Sequence, residues 1–253
     1  MVQIRGGTER RVWVVPRDEA MFGWFRIVRI ADVQAVRWVL GALNGTDRPV
    51  STRRAQEWVV RMEAAGLVER VQLGGRGGSL VFGTYAATGQ GRPGLYRQTT
   101  RHEVAVAATS ARYAAAGYSW RRDDKPDYAG GHQADGVAES QDWAELIEVE
   151  LTGKRLPRYA QIFTAFRRRF DAGEMDQVTY ICSDEAAQTV RAATNELPVG
   201  RTIAPQVQIQ PVFDPLGHWA DDALPSWMLT ARNRAADDAT SRSGGPRPSV
   251  TLF

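Results

Sequence analysis

Residues 51–85 read STRRAQEWVVRMEAAGLVERVQLGGRGGSLVFGTY. Ser51 or Thr52 can accept a hydrogen bond from the free N–H groups of a first helical turn, and Ala55, Trp58, Val59 and Met62 recur at the 3-and-4 spacing of a buried helical face. Gly66 stands where a left-handed C-terminal residue is wanted, and Leu67, Val68, Val71 and Leu73 open a strand. Gly74-Gly75-Arg76-Gly77-Gly78 then reverses the chain before a second strand, Leu80 to Tyr85. A helix, a two-strand hairpin and an arginine at the hairpin tip form the pattern of a winged helix-turn-helix, whose helix enters a major groove of DNA while the wing touches the backbone beside it. On this reading Arg53, Arg54, Glu57 and Arg61 look outward, and Ser51, Thr52, Arg53, Arg54, Glu57, Arg61 and Arg76 are the candidate DNA-binding residues. The competing reading is a helix–hairpin unit that is merely core, with solvated arginines.

The residues upstream complete the count of elements. Pro16 with Asp18 and Glu19 suits a helix start, predicted over about Arg17 to Ile27. Asp32 can cap a second helix carrying Val33, Val36, Val39, Leu40 and Leu43 on one side and ending at Asn44-Gly45. Thr46 to Val50 is the turn before the third helix. Three helices followed by a hairpin make a winged-helix domain over residues 1–90, with Val12–Val15 as a further short strand.

Charge separates the two halves. The chain of 253 residues carries a formal net charge of +3. Residues 1–100 hold 15 Arg against 8 Asp and Glu, or +7; the other 17 Lys and Arg and 21 Asp and Glu leave −4 for residues 101–253. The basic half is the one with the winged-helix pattern, as a DNA-binding domain requires, because phosphate neutralisation with counterion release supplies most non-specific affinity. Apolar runs are short and interrupted by charge, and the N-terminal stretch lacks the long apolar core of a secretion signal, so a cytoplasmic protein with no membrane partner is expected. A single cysteine, Cys182, forbids an internal disulfide, and His102, His132 and His218 show no zinc-ligand spacing.

The Gly-rich, polar stretch 87–98 is read as the boundary, giving a second, α/β domain over 98–230 and a disordered tail over 231–253. Its pattern is a helix from Thr100 to Gly117, a short strand at Tyr118–Trp120, a loop over 121–131, a strand near Ala134–Ala138, and a buried strand at Trp143–Leu151. A helix then carries Leu156, Tyr159, Ile162, Phe163, Phe166 and Phe170 in one stripe, followed by a strand at Val178–Cys182, a helix capped by Ser183 or Asp184, and a strand at Gln206–Phe213. Helix, strand, strand with Asp, strand with Glu, helix, strand is the order of the PD-(D/E)XK nuclease core, so the whole chain is an α/β protein of the α+β kind. Residues two apart on a strand point to one face, so Glu148 and Glu150 project together and Asp135 can join them from the neighbouring strand. Such a set can hold Mg²⁺, which polarises a phosphate and activates water. The alternative for these carboxylates is a polar, solvated sheet edge.

Together these features resemble the replication-relaxation proteins of bacterial plasmids, phages and integrated elements. The resemblance covers roughly residues 16–195. It rests on Met62-Glu63-Ala64-Ala65-Gly66-Leu67-Val68-Glu69-Arg70, Arg101-His102-Glu103, Ala134-Asp135-Gly136, and Ile147-Glu148-Val149-Glu150-Leu151-Thr152 followed by Arg158-Tyr159. It implies a winged helix joined to a PD-(D/E)XK-like domain and a role in replication or maintenance of a mobile element, with double-stranded DNA and replication proteins as partners; a second copy is a further expected partner because winged-helix proteins often read paired half-sites. Two departures weigh against hydrolysis: Glu150 stands where the superfamily has Lys, the nearest candidate being Lys154, and Ala134 replaces the Pro before the Asp. The second domain is therefore expected to bind rather than cut, without a cofactor. The enzyme alternative is a Mg²⁺-dependent nuclease or nickase with Asp135, Glu148, Glu150 and Lys154 as catalytic residues and Asp135 and Glu148 on the metal; a transcription repressor is the other alternative.

Overall fold

Proline has no N–H to leave unpaired in a first helical turn, and Pro16 opens α1 (Pro16–Val28), with the Asp18 carboxylate turned back onto the Val15 N–H at 3.0 Å. The computed structural model that contains this helix describes residues 2–5, 11–72, 78–95, 99–128, 130–140 and 143–228. It mixes α and β throughout, and its contacts divide it into two units, one running to Gly117 with 223–228 added and the other spanning Tyr118–Asp222. No described helix is long and apolar enough to cross a membrane.

In the first unit, β1 (Val2–Arg5) and β2 (Arg11–Val14) pair antiparallel ahead of α1. A short β3 (Ala31–Asp32) leads into α2 (Val33–Leu43), where Asp32 accepts from the Ala35 N–H at 2.7 Å. Ser51 caps α3 (Thr52–Ala64) by accepting from the Arg54 N–H at 3.3 Å, and Gly66 ends it at φ +71°, a conformation open to glycine at little cost. The hairpin of β4 (Val68–Gln72) and β5 (Ser79–Gly83) follows, and β3 pairs with β5 to give a three-stranded antiparallel sheet in the order β3-β5-β4. After the β1–β2 pair the chain therefore runs helix, strand, helix, helix, hairpin, with β3 closing the sheet. Arg76, expected at the hairpin tip, and the expected tail over 231–253 lie outside the described residues.

The next helices are α4 (Tyr85–Thr88) and α5 (Thr100–Ala115). The sequence places α5 at the head of the second domain, but it is built into the first unit, whose limit is Gly117 rather than the 87–98 stretch. Ala107, Ala111, Ala114 and Ala115 belong to the first unit's core with Trp24, Trp38 and Val59, and the Trp24 Nε1–H donates to Ser110 Oγ at 2.9 Å. Small side chains let α5 lie close against α2, and the Arg112 guanidinium sits over the Trp38 ring at 5.0 Å.

The second unit is one five-stranded sheet in the order β10-β9-β8-β7-β6. Its first three strands, β6 (Ser119–Arg121), β7 (Gly136–Ser140) and β8 (Trp143–Glu150), form an antiparallel meander. Then α6 (Leu156–Asp171) crosses over to β9 (Gln177–Ser183), parallel to β8, and α7 (Asp184–Glu196) with α8 (Pro198–Ile203) leads to β10 (Val207–Phe213), parallel to β9. Central β8 reads as a near-continuous buried run from Glu145 to Glu150, as a strand covered on both faces must. Tyr159, Ile162, Phe163 and Phe166 of α6 pack with Leu146, Val178 and Tyr180.

The firmest polar tie in the first unit joins α1 to α3. Asp18 is fully buried, and besides the Val15 N–H it accepts from Trp58 Nε1 at 2.8 Å and from Arg61 through Nη2 at 2.6 Å and Nη1 at 3.0 Å. Burial pushes the carboxyl pKa up, but the bonds from Arg61, Val15 and Trp58 outweigh it and hold the group below its ordinary 3.8. Its contribution to stability is therefore complete above that value and is lost as pH falls through the lower folded one. Arg61→Ala should cost roughly 2–3 kcal/mol in a denaturant titration, somewhat less than a fully buried pair because Arg61 keeps partial exposure. Thermal midpoints should drop below about pH 4, and Asp18→Asn should remove part of that drop; a midpoint unmoved by Arg61→Ala contradicts the assignment.

Candidate nucleic-acid interface

The two faces of α3 differ in kind. Ala55, Trp58, Val59 and Met62 are buried, as their spacing predicts, while Thr52, Arg53, Arg54, Gln56 and Glu57 are exposed beyond the Ser51 cap. The Arg53 side chain is 85% exposed, and its Nε lies 3.3 Å from a Glu57 carboxylate oxygen one turn on. Such a pair contributes little to stability in water. Arg17, Arg54 and Glu57 line a shallow hollow of about 330 Å³ between the start of α1 and α3.

Arg61 departs from its expected outward place. Its guanidinium is committed to Asp18, and Nη1 also donates to the main-chain carbonyl of Trp13 at 2.8 Å, which fixes β2 alongside α3. Periodicity puts residue 61 next to the outward stripe, yet a buried carboxylate 43 residues earlier in the chain draws it in. Three residues that the sequence reading passes over share the outward side: Gln56 is exposed, and Val60 and Trp13 are 52% and 49% exposed. Val60 follows Arg53 by seven residues and so lies on the same face, a signal that the helical spacing already carries.

The acidic residues of the second unit sit in a different environment. Gly136 starts β7 where any side chain would collide with the Trp120 ring, and Asp135 just before it turns its carboxylate onto the Val149 N–H of β8 at 2.8 Å. Glu148 and Glu150 share the face of β8 that also carries Tyr180 and Cys182 of β9 by register. All four are buried, so the alternative of a solvated sheet edge is ruled out for the two glutamates. Each glutamate is met by a cation or cation precursor: His132 Nε2 lies 2.7 Å from Glu148, and the Lys154 ammonium contacts Glu150.

The sequence reading passes over His132 because its partner is sixteen residues away in the chain and on another element. The Arg158 guanidinium lies 3.5 Å from the other ring nitrogen of His132, and the Phe166 ring meets the imidazole edge-on. Desolvation raises the Glu148 carboxyl above its usual range, His132 pulls it down and the charge of Asp135 pushes it up, with a net rise. Next to it the Tyr180 hydroxyl is buried without a hydrogen-bond partner among the described residues, and burial keeps it protonated.

Among the described residues no three His, Cys, Asp or Glu side chains are disposed to hold a metal ion. Asp135, Glu148 and Glu150 are neighbours, but their oxygens are directed to Val149, His132 and Lys154.

Removing His132 should strand a buried acceptor. His132→Ala is expected to cost about 1–3 kcal/mol in chemical denaturation, and replacing the pair together as His132→Ala/Glu148→Met should recover most of it. Equal losses in the single and double variants contradict the pairing. No protein-family model, no curated protein and no solved structure matches this chain.

Proposed function

We propose that this chain is a site-specific binder of double-stranded DNA whose first unit is a winged helix-turn-helix with α3 as the element that enters the major groove. One observation carries this reading: α3 is braced from behind by Asp18 through Trp58 and Arg61, while Arg53, Arg54, Gln56 and Glu57 are exposed on its other side. The topology supports it, since helix, short strand, helix, helix and hairpin, with the short strand completing the sheet, is the winged-helix order. The arginine excess of the first hundred residues supplies the charge that a polyanion requires. The resemblance to replication-relaxation proteins extends the proposal to replication or maintenance of a mobile element.

For the second unit we read the meander β6-β7-β8, crossover α6 and parallel β9 as a PD-(D/E)XK-like core that serves binding or assembly. The engagement of each carboxylate with a group of its own chain supports that reading. One observation favours the nuclease alternative: Lys154 reaches Glu150, which brings a lysine to the carboxylates although the sequence spacing departs from the superfamily's.

Two measurements test these proposals. Arg53→Ala/Arg54→Ala should weaken binding in a mobility-shift titration and reduce the slope of log affinity against log salt by about 2, one unit for each phosphate that an arginine no longer neutralises. Unchanged affinity and slope contradict the interface. Incubation with supercoiled plasmid and Mg²⁺ should leave it intact; metal-dependent nicking abolished by Glu148→Gln would instead establish the nuclease.

A further inference from the structure

Val60 is the exception on the outward face of α3. Arg53, Gln56, Glu57 and Val60 follow one another at the i, i+3, i+4, i+7 spacing of one helical stripe, and the first three are polar. Val60 is 52% exposed, and Trp13 across from it is 49% exposed. Between them runs a groove of about 810 Å³ whose walls are α3 and β2. The groove is held open in fixed form, because Arg61 bonds the Trp13 carbonyl at 2.8 Å while its guanidinium is anchored on buried Asp18. Among the described residues that line the groove, Arg53 is paired with Glu57 and Arg61 with Asp18, and Arg17 adds a further positive charge, so its surroundings favour an anionic occupant that also presents an apolar group.

Duplex DNA meets both conditions in one place. The major groove is flanked by phosphates, and the only apolar group on its floor is the C5-methyl of thymine. Arginine matches guanine O6 and N7, glutamine matches adenine N6 and N7, and glutamate accepts from cytosine N4, while valine can make only the methyl contact.

Resting on the DNA-binding reading above, we infer that Val60 is a specificity-determining residue that contacts a thymine C5-methyl, with Gln56 beside it placed to take adenine. This assigns an A·T requirement to the C-terminal half of the α3 stripe, separate from the phosphate and guanine contacts available to Arg53 and Arg54. The exposed valine, which gains nothing from facing water, thereby acquires a partner from which it expels water.

The test uses the full chain and synthetic duplexes. A random-sequence duplex pool is selected for binding, and in the winning duplex each thymine is replaced in turn by deoxyuridine, which lacks only the methyl. Replacement at one position should weaken binding about fourfold, the value of one buried methyl group. In Val60→Ser, which has no methyl group to offer, that position should show equal affinity for thymine and uracil, while Arg53→Ala should keep the discrimination.

Val60 lies on the surface, and serine and valine have about equal helix propensity, so the variant should retain its thermal midpoint; Val60→Thr, which keeps a methyl group, should retain the discrimination. A winning duplex indifferent to uracil at every position, or discrimination that survives in Val60→Ser, overturns this inference and leaves DNA binding intact. A pool from which no duplex is enriched overturns the DNA-binding reading and this inference with it.

Discussion

A carboxylate sealed from water must have its charge met on every side, and the first unit is arranged to do so for Asp18. Its two oxygens take four hydrogen bonds, from Val15, Trp58 and Arg61. These partners come from the entry to α1 and from two successive turns of α3, so the angle between the two helices is set by the directions of those bonds. Apolar packing around Phe22, Phe25 and Trp58 supplies the area, but such contacts tolerate rotation. Buried ion pairs add little net stability over apolar replacements and are better understood as fixing one arrangement among several. Here the fixed arrangement is the presentation of α3 and the attachment of β2 beside it.

The two units treat charge in opposite ways. Arg53 and Arg54 stand in solvent on α3, whereas Glu145, Glu148 and Glu150 are drawn into the centre of a sheet and given local partners. Glu145 accepts from Thr179 at 2.6 Å and from Gln177 at 3.0 Å, neutral partners where Glu148 has the His132 ring and Glu150 the Lys154 ammonium. Net charge counted along the sequence therefore overstates what the second half shows to its surroundings, because several of its acids are internal.

Local signals in the sequence carried the elements well. The caps at Asp32, Ser51 and Ser183, the stripe of Ala55, Trp58, Val59 and Met62, and the left-handed Gly66 are all nearest-neighbour or single-turn effects, and each recurs in the fold. The misreadings are all long-range. Arg61 is drawn inward by a residue on another helix, α5 belongs with α2 although a Gly-rich stretch precedes it, and His132 meets Glu148 across the sheet. Composition marks where a loop runs but not which core the next helix joins. Val60 was visible in the helical spacing, yet a lone valine on a polar stripe draws no notice until its exposure and the facing Trp13 are known.

The position of Cys182 has a practical consequence. It is the only thiol in the chain, lies wholly buried on β9 beside Glu150, and is kept protonated chiefly by burial. A thiol-directed label can reach it only when the sheet of the second unit opens. The rate of its alkylation under native conditions therefore clocks the breathing of that sheet, and gives the second unit an internal reporter.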